Sequence, residues 1–332
     1  MAKSKQQTSA AQRREQTRQQ RQQRLGADQN TTRPAKSRKS KSKDNNPWLL
    51  VGGILLMVVV VIGIFFLLAN QQQTYTTQGA NEAFKTVTHL DAKLLDQVGD
   101  GGVKNLMHPL PPNAQLPQGP TGKPQILFVG ADYCPFCAAQ RWVVIAALSR
   151  FGSFSSLEPL STSEWSIPTY SFHNGHYSSQ YIDFVAVETQ DNQRNPLDKL
   201  TPEQTQLVNK YNAPPYTDPQ SAGSIPFILL GNRQTSTGAY YNPNLLSGLP
   251  YQDIASKLKD PKSDIAKNIL GSANYVTAAV CQLTQNQPAS VCTTGAIPQL
   301  ELVLSKPTAL HTSSPQAALA SSNFAMALRE RA

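Results

Sequence analysis

The chain has 332 residues, of which 39% are hydrophobic, and a formal net charge of +9; this length allows one domain with extensions or two small domains. Residues 1–46 hold 13 Lys or Arg and 3 acidic residues, a net charge of +10, so the remaining residues sum to about −1. A nucleic-acid-binding domain is therefore not expected, because the positive charge lies in a polar tail.

A membrane anchor is the first predicted element. Residues 1–47 are rich in Gln, Lys, Arg and Ser and are predicted to be a disordered basic tail. Residues 48–69 have no charge and no proline, and a helix over them would span roughly 33 Å, enough to cross a bilayer core. The long preceding segment and the length of the apolar run argue against a cleavable signal peptide. Basic residues precede this stretch, so we expect a cytoplasmic N-terminus and residues 70–332 outside.

The segment between the anchor and the main domain is predicted to be only partly structured. Residues 70–121 comprise a polar spacer, a short amphipathic helix over 80–98 and the first part of a loop rich in Gly and Pro over 99–124. The main domain is predicted over 122–304, with a C-terminal helical extension. A flexible tail is predicted over 305–332.

The most informative motif is the Cys-Pro-Phe-Cys sequence from Cys134 to Cys137. An apolar strand is predicted before it, over 126–129, and a helix after it, over 141–150. A Cys-x-x-Cys at a strand-to-helix turn is typical of reversible dithiol chemistry. The turn places Cys134 at the helix N-terminus, where free backbone N–H groups and the helix dipole favour a thiolate.

Periodicity and turn residues predict the elements that follow the motif. In chain order they are a Ser-rich connection over 151–165, strands over 169–172 and 177–187 around a turn at Asn174-Gly175, a helix over 202–210 capped by Thr201, a buried strand over 224–232, its antiparallel partner over 234–240, and helices over 251–258 and 265–283. Gly271 marks a point where the last helix can break.

Four features together resemble the thioredoxin fold: a strand into Cys-x-x-Cys, a helix after it, a later Ile225-Pro226 step before a strand, and a final strand and helix. The resemblance implies that Pro226 is cis, faces the dithiol and leaves the backbone of Ile225 free to pair with an extended substrate. It also implies an insertion over about 152–222. The expected fold class is α/β, a thioredoxin-like fold with an insertion, preceded by a single transmembrane helix.

A narrower resemblance is to a prokaryotic family of membrane-anchored thioredoxin-like proteins that has no established function. Residues 130–142, 223–232 and 273–292 carry it. The Pro135-Phe136 pair between the cysteines is closer to glutaredoxin-type motifs than to the Gly-Pro of thioredoxin.

The motif residues have distinct expected roles. Cys134 is expected to be the exposed attacking thiolate and Cys137 the thiol that resolves the mixed disulfide, the two forming a reversible disulfide. Asp132 has two interpretations, a proton shuttle or a cap and surface charge. Pro226 completes the predicted catalytic set. The residues expected to contact substrate are Tyr133, Pro135, Phe136 and Ile225.

The second cysteine pair, Cys281 and Cys292, has two interpretations. A structural disulfide closing about 12 residues would stabilise the fold by about 3 kcal/mol. A relay pair that exchanges with the first pair is the alternative. A zinc site built with these cysteines or with His173 and His176 is disfavoured, because the cysteine spacing is wide and the histidines flank a turn. We expect no metal and no cofactor.

These observations predict a membrane-anchored thiol–disulfide oxidoreductase that acts outside the cell on protein thiols or disulfides, in a direction that the sequence leaves open. Turnover would require a membrane redox partner, because an anchor without cysteines carries no electrons. Residues 48–69 would contact lipid, and no nucleic-acid partner is expected. The alternative is a redox-inactive thioredoxin-like binding or assembly module with structural disulfides.

Overall fold

The computed structural model describes residues 47–305, apart from residue 112 and residues 115–117. The predictions of a disordered basic tail and of a flexible C-terminal tail therefore fall outside the described residues, except at their edges. Within the described part, the protein is a mixed α/β structure with a mixed β-sheet. The chain divides into two units, Met1–Ile64 and Phe65–Ala332.

Secondary structure in the described residues consists of helices, strands and two short 3₁₀ turns. The helices are α1 (Pro47–Thr88), α2 (Ala92–Val98), α3 (Pro135–Leu148), α4 (Pro202–Tyr211), α5 (Tyr251–Leu258), α6 (Asp264–Leu283), α7 (Ala289–Cys292) and α8 (Ile297–Leu304). The strands are β1 (His108–Pro109), β2 (Gln125–Gly130), β3 (Gly152–Ser155), β4 (Glu158–Ser161), β5 (Pro168–Ser171), β6 (His176–Ser179), β7 (Asp183–Glu188), β8 (Phe227–Leu230) and β9 (Gln234–Thr237).

The predicted membrane span, 48–69, lies on helix α1. Side chains within it are described only at residues 55–65, where the large hydrophobic ones are exposed. Among the described residues, no helix combines the length and the apolar character that crossing a membrane requires. The anchor therefore stays a prediction.

The single amphipathic helix predicted over 80–98 is instead the end of α1 followed by α2. The break occurs at Asp91, whose backbone is extended (φ −67°, ψ 132°) and whose carboxylate accepts a hydrogen bond from the Lys93 N–H at 2.9 Å. A carboxylate that caps a new helix stabilises this break. The apolar face predicted for the segment is buried at Ala83, Val87 and Leu95.

A central sheet of five strands has the order β1-β9-β8-β2-β7. Strand β2 lies parallel to β7 and antiparallel to β8, while β9 pairs antiparallel with both β8 and β1. Residues 126–129 of β2 are buried throughout, as expected for a strand between two sheet neighbours with both faces covered. The strands predicted over 224–232 and 234–240 are confirmed with shorter ends, and the strand predicted over 126–129 extends one residue further at each end.

Two small antiparallel sheets, β3 with β6 and β4 with β5, lie outside the central sheet. The hairpin predicted at Asn174-Gly175 is wrong, because β5 and β6 on either side of that turn pair with other strands. The segment 151–165 supplies those partners and is more than a connection. Ring contacts favour this pairing, since Phe154 on β3 packs against Tyr177 on β6 with centroids 4.7 Å apart.

The predicted insertion over 152–222 also requires correction. It contains β7, which pairs with β2 along its full length from Gln125↔Asp183 to Gly130↔Glu188. Only the parts of that segment on either side of β7 lie outside the central sheet. Parallel strands need a long crossover connection, and here α3 and the two small sheets provide it.

The helices after the sheet confirm most of the predicted boundaries. Thr201 caps α4 in a reciprocal capping box with Gln204, and α5 spans the predicted residues. Helix α6 packs against α3 and is continuous through Gly271. A Cβ at Gly271 would lie 2.4 Å from the Asp100 carbonyl oxygen, so this glycine permits close backbone packing and does not break the helix.

Candidate active site

The dithiol motif lies where β2 ends and α3 begins. Cys134 is the N-cap residue of α3, with extended backbone (φ −80°, ψ 119°), and Pro135 is the first helical residue. The backbone N–H of Cys137 points at the sulfur of Cys134, with 3.3 Å between nitrogen and sulfur. Both cysteines are free thiols, so the structure describes the reduced form of the pair.

Both motif cysteines are buried. Cys134 is 2% exposed and Cys137 is 0% exposed, so the expectation that Cys134 is exposed is wrong for this conformation. Tyr133 and Phe136, which flank Cys134 in the motif region, are contacted by residues of other loops. The Arg194 guanidinium lies 4.0 Å from the centre of the Tyr133 ring, and the Trp165 ring lies 5.6 Å from the Phe136 ring.

A buried ion pair lies beside the motif, one helical turn beyond Cys137. Arg141 donates to both carboxylate oxygens of Glu188, at 2.8 and 2.7 Å, and to the Ala131 carbonyl at 2.8 Å. It also lies 3.3 Å from a carboxylate oxygen of Asp132. Arg141 and Glu188 are both 0% exposed. Two parallel charge-assisted bonds hold this pair in one geometry.

Strand register explains how Glu188 reaches the motif. Glu188 is the last residue of β7 and pairs with Gly130, the last residue of β2. A side chain at position 130 would collide with the Phe128 ring, 2.6 Å away, and would crowd the Glu188 carboxylate at 3.0 Å. Glycine at this position therefore leaves room for the ion pair at the carboxyl end of both strands.

Burial governs the titration of the site. It raises the pKa of Cys137 well above its ordinary value, and the hydrogen bond and charge of Cys134 add to the shift while Arg141 opposes it. Burial also raises the pKa of Tyr133, to about 12. Burial raises the pKa of Glu188, although the Arg141 charge opposes it. Burial alone would lower the pKa of Arg141, but the charge and hydrogen bond of Glu188, together with the charges of Cys137 and Asp132, outweigh this effect and the net shift is upward.

The Ile225-Pro226 bond is cis, as the thioredoxin resemblance implied. The next residue, Phe227, begins β8 and pairs with Val129 of β2. Pro226 therefore lies at the end of the sheet from which β2 leads into the motif. Ile225 is buried, at 3% exposure.

Asp132 is neither a helix cap nor a surface charge. It is 9% exposed, and its carboxylate accepts hydrogen bonds from the Ser171 hydroxyl at 2.8 Å and from Arg141 at 3.3 Å. Cys134 occupies the cap position instead. The proton-shuttle interpretation of Asp132 remains untested.

The other candidate residues have partners outside the motif. His173 pairs through Nδ1 with the Asp198 carboxylate at 2.8 Å. Within the described residues, no cluster of His, Cys, Asp and Glu is arranged to hold a metal ion. Cys281 and Cys292 form a disulfide with a Cα–Cα distance of 5.5 Å, and both residues are buried.

Four charged residues near the motif were not identified from the sequence. Arg141 could have been found, because it follows Cys137 by four residues and therefore shares its helix face. Glu188 ends an apolar strand, and a carboxylate at such a buried position usually has a charged partner. Glu164 and Arg194 lie in loops that only the fold brings together.

Comparison with known proteins identified a family and no individual relative. The family described as "Domain of unknown function (DUF929)" matches residues 114–282, which include the dithiol motif, β2, β7, β8, β9 and most of α6. Searches of curated proteins and of solved structures found no match. The matched residues make up about half of the chain, and the protein belongs to the DUF929 family.

Proposed function

We propose that the protein is a thiol–disulfide oxidoreductase that acts on protein thiols or disulfides through Cys134 and Cys137. One observation carries the proposal: Cys134 caps α3, and the Cys137 N–H points at its sulfur from 3.3 Å. A sulfur at a helix N-terminus is stabilised as a thiolate by the free N–H groups and by the helix dipole. The thiolate is the nucleophile of disulfide exchange.

The chemistry has two balanced steps. In the reducing direction, the Cys134 thiolate attacks a client disulfide, which forms a mixed disulfide and releases one client thiolate. Cys137 then loses its proton and attacks the Cys134 sulfur. The second client thiol leaves, and the two cysteines are joined. Two electrons pass from the dithiol to the client, and the reverse sequence oxidises a client dithiol. A redox partner must reset the pair in either direction.

The strand arrangement supports a thioredoxin-like domain as the scaffold for this chemistry. The sheet contains β2 leading into the motif, a parallel neighbour β7, and an antiparallel neighbour β8 that follows the cis Ile225-Pro226 bond. Each feature matches the resemblance drawn from the sequence. Pro226 and Ile225 would then bind the client backbone beside Cys134, with Tyr133, Pro135 and Phe136 as side-chain contacts.

We place the domain outside the membrane, on a single anchor over 48–69 with the basic N-terminus in the cytoplasm. The apolar sequence of that stretch and the basic residues before it support this topology. All four cysteines follow the anchor, and an oxidising compartment is where protein disulfides persist. Client proteins and a membrane redox partner are the proposed partners.

A redox-inactive binding or assembly module is the second candidate. The observation that favours it is burial, since Cys134 is only 2% exposed and exchange requires access to its sulfur. A module of this kind would keep the motif cysteines as internal packing residues. Its clients would bind without covalent attachment.

Trapping with a Cys137→Ala variant separates the two candidates. Without the resolving thiol, mixed disulfides between Cys134 and client proteins should accumulate and should disappear on reduction. A Cys134→Ala/Cys137→Ala variant is the matched control and should trap nothing. If the Cys137→Ala variant also traps nothing and the wild-type pair cannot be cycled between dithiol and disulfide, the oxidoreductase proposal is wrong and the binding module is favoured.

A further inference from the structure

Two loops cover the residues on either side of Cys134. The Trp165 loop (residues 162–167) connects β4 to β5, and its Trp165 ring packs on Phe136. The Arg194 loop (residues 190–196) follows β7, and its guanidinium lies on the Tyr133 ring. A protein-sized reactant cannot reach the sulfur while both loops are in place, because Cys134 is 2% exposed.

Polar contacts tie the two loops to each other. Glu164 and Arg194 form an ion pair. The side chain of Asn192 accepts a hydrogen bond from the Ser163 N–H at 2.9 Å and donates to the Ser161 carbonyl at 2.8 Å. The loops therefore move most easily as one unit, which we call the cover.

The side-chain contacts that hold the cover closed are exposed. The Glu164 and Arg194 side chains are 40% and 43% exposed, so water and salt weaken their attraction. Trp165 is 45% exposed although it is a large aromatic residue. Trp165 and Arg194 also have positive φ angles, 61° and 64°, a backbone region that is unfavourable for large side chains. Separating these side chains therefore breaks few buried interactions. Backbone hydrogen bonds also hold the loops, from the Asp132 N–H to the Gln190 carbonyl at 2.9 Å and from the Gly248 N–H to the Ser166 carbonyl at 3.1 Å.

We propose that the cover controls access to Cys134 and that the Glu164–Arg194 ion pair holds the cover closed. When the cover opens, Trp165 leaves Phe136, and the Phe136 ring then binds an apolar side chain next to the reacting cysteine of the client. The client class is thus a protein segment with an apolar residue beside its cysteine. Trp165 shows the kind of side chain that the Phe136 face accepts. This inference rests on the proposed function for its client, but not for the gate.

Alkylation of Cys134 tests the gate without any client. Rates are measured on the reduced full-length chain with iodoacetamide and with a bulky polyethylene-glycol maleimide, and the modified cysteine is identified by mass spectrometry. Glu164→Gln and Arg194→Gln should each speed the reaction with the bulky reagent by about two- to fivefold, the range of an exposed ion pair. Iodoacetamide should respond less, because a small reagent needs less opening.

Three comparisons keep this test falsifiable. The charge-exchanged variant, Glu164→Arg with Arg194→Glu, should return the rate towards that of the wild type, and Trp165→Ala should raise it most. High salt should speed the bulky reagent in the wild type and not in either single charge variant. Lys123→Gln is the control. It breaks a partly buried ion pair with Asp183, near the other end of β2 from the motif, and should not change the rate. Unchanged rates in both single variants and in high salt would overturn the gate.

Matched peptides test the binding part. Two activated disulfide peptides differ only in the residue beside cysteine, Leu in one and Ser in the other, and the rate of mixed-disulfide formation with Trp165→Ala is measured. The Leu peptide should react faster, and Phe136→Ser should abolish the preference. Equal rates would contradict the Phe136 site alone, whereas no reaction with either peptide, despite rapid alkylation, would contradict the proposed function.

Discussion

The protein contains two cysteine pairs that are equally buried but differ in chemical state. Cys281 and Cys292 are joined in a disulfide between α6 and α7, whereas Cys134 and Cys137 are free thiols at the start of α3. Burial therefore does not distinguish the disulfide-bonded pair from the pair that we propose to be reactive. Position on the helix does, because a helix N-terminus favours a negative charge on sulfur and a helix C-terminus opposes it.

The two cysteine pairs also differ in their position on the helices and in the charged residues near them. Cys281 lies two residues before the end of α6, and Cys292 is the last residue of α7. Cys137 lies one turn from Arg141, in a fully buried ion pair with Glu188. The charges of Arg141 and Glu188 lie in the interior beside the dithiol and influence the pKa of Cys137.

The largest expected effect is loss of the buried ion pair. Glu188→Gln removes the charge that compensates Arg141 and leaves a buried guanidinium with a neutral partner. Breaking a buried pair in this way costs about 3–5 kcal/mol. The free energy of unfolding, measured with urea on the reduced protein, should fall by that amount.

Two control variants sharpen the prediction for Glu188. Replacing both partners with methionine should recover much of the loss, because the buried guanidinium and the Glu188 carboxylate are both removed and Asp132 keeps its hydrogen bond from Ser171. Arg194→Gln, which breaks an exposed ion pair, should change stability by at most about 1 kcal/mol. If Glu188→Gln lowered the free energy of unfolding no more than Arg194→Gln, the buried charge of Arg141 would not need Glu188 as its partner.

The next largest effect concerns the closed disulfide. Cys281→Ala with Cys292→Ala should lower the free energy of unfolding by about 3 kcal/mol, because the bond closes a loop with a sequence separation of 11 residues. Mixed-disulfide trapping through Cys134 should persist in this background. Loss of trapping in a protein that remains folded would instead favour the relay interpretation of this pair.

The sequence predicted strands β2, β8 and β9 of the central sheet because local signals specify them. The run of apolar residues in β2, the Ile-Pro step before β8 and the turn after it, and the Thr201 cap of α4 are all short-range features. The dithiol at the junction of β2 and α3 follows from the same kind of signal. For this reason the motif could be placed on the correct elements before the fold was known.

Long-range pairing could not be predicted in the same way. The turn at Asn174-Gly175 is typical of a hairpin, yet the strands beside it pair with β3 and β4 because Phe154 and its aromatic neighbours pack together. Trp165 and Arg194, which contact Phe136 and Tyr133 beside Cys134, are 31 and 60 positions away from Cys134 in the chain. Side chains that cover a site from distant loops leave no local pattern in the sequence.

The pH dependence of Cys137 gives a smaller effect. Its pKa in the folded protein is raised above the ordinary thiol value of 9.0, chiefly by burial. Above pH 9.0 the unfolded chain loses this proton while the folded chain keeps it. The contribution of Cys137 to the free energy of unfolding is therefore fully present below that pH, and it is lost as the pH rises through the folded pKa. The slope for one such group is about 1.4 kcal/mol per pH unit.

Comparing the reduced wild type with Cys137→Ala isolates this contribution. The difference in the free energy of unfolding between the two proteins should narrow as the pH is raised above the ordinary thiol value. Alkylation of Cys137 in a Cys134→Ala background should also be slower than that of a free cysteine at the same pH. A constant difference in stability together with fast alkylation would show that the interior does not hold the thiol protonated.

The smallest expected effect compares the caps of the two helices that carry the cysteine pairs. Helix α6 is capped by the Ser263 hydroxyl, which accepts the Ala266 N–H at 3.0 Å, and Ser263→Ala should lower stability by about 1 kcal/mol. Helix α3 is capped by the sulfur of Cys134, a weaker acceptor than a hydroxyl oxygen.

Cys134→Ser should therefore raise the free energy of unfolding of the reduced protein by about 0.5–1 kcal/mol, because a hydroxyl is a better cap. The same substitution should eliminate mixed-disulfide trapping in the Cys137→Ala background. Urea unfolding and trapping measured on one preparation check both outcomes. A gain in stability together with loss of exchange would mean that cysteine is a weaker cap than serine at this position and is needed there for its chemistry. A fall in stability would mean instead that the sulfur is held there by its packing.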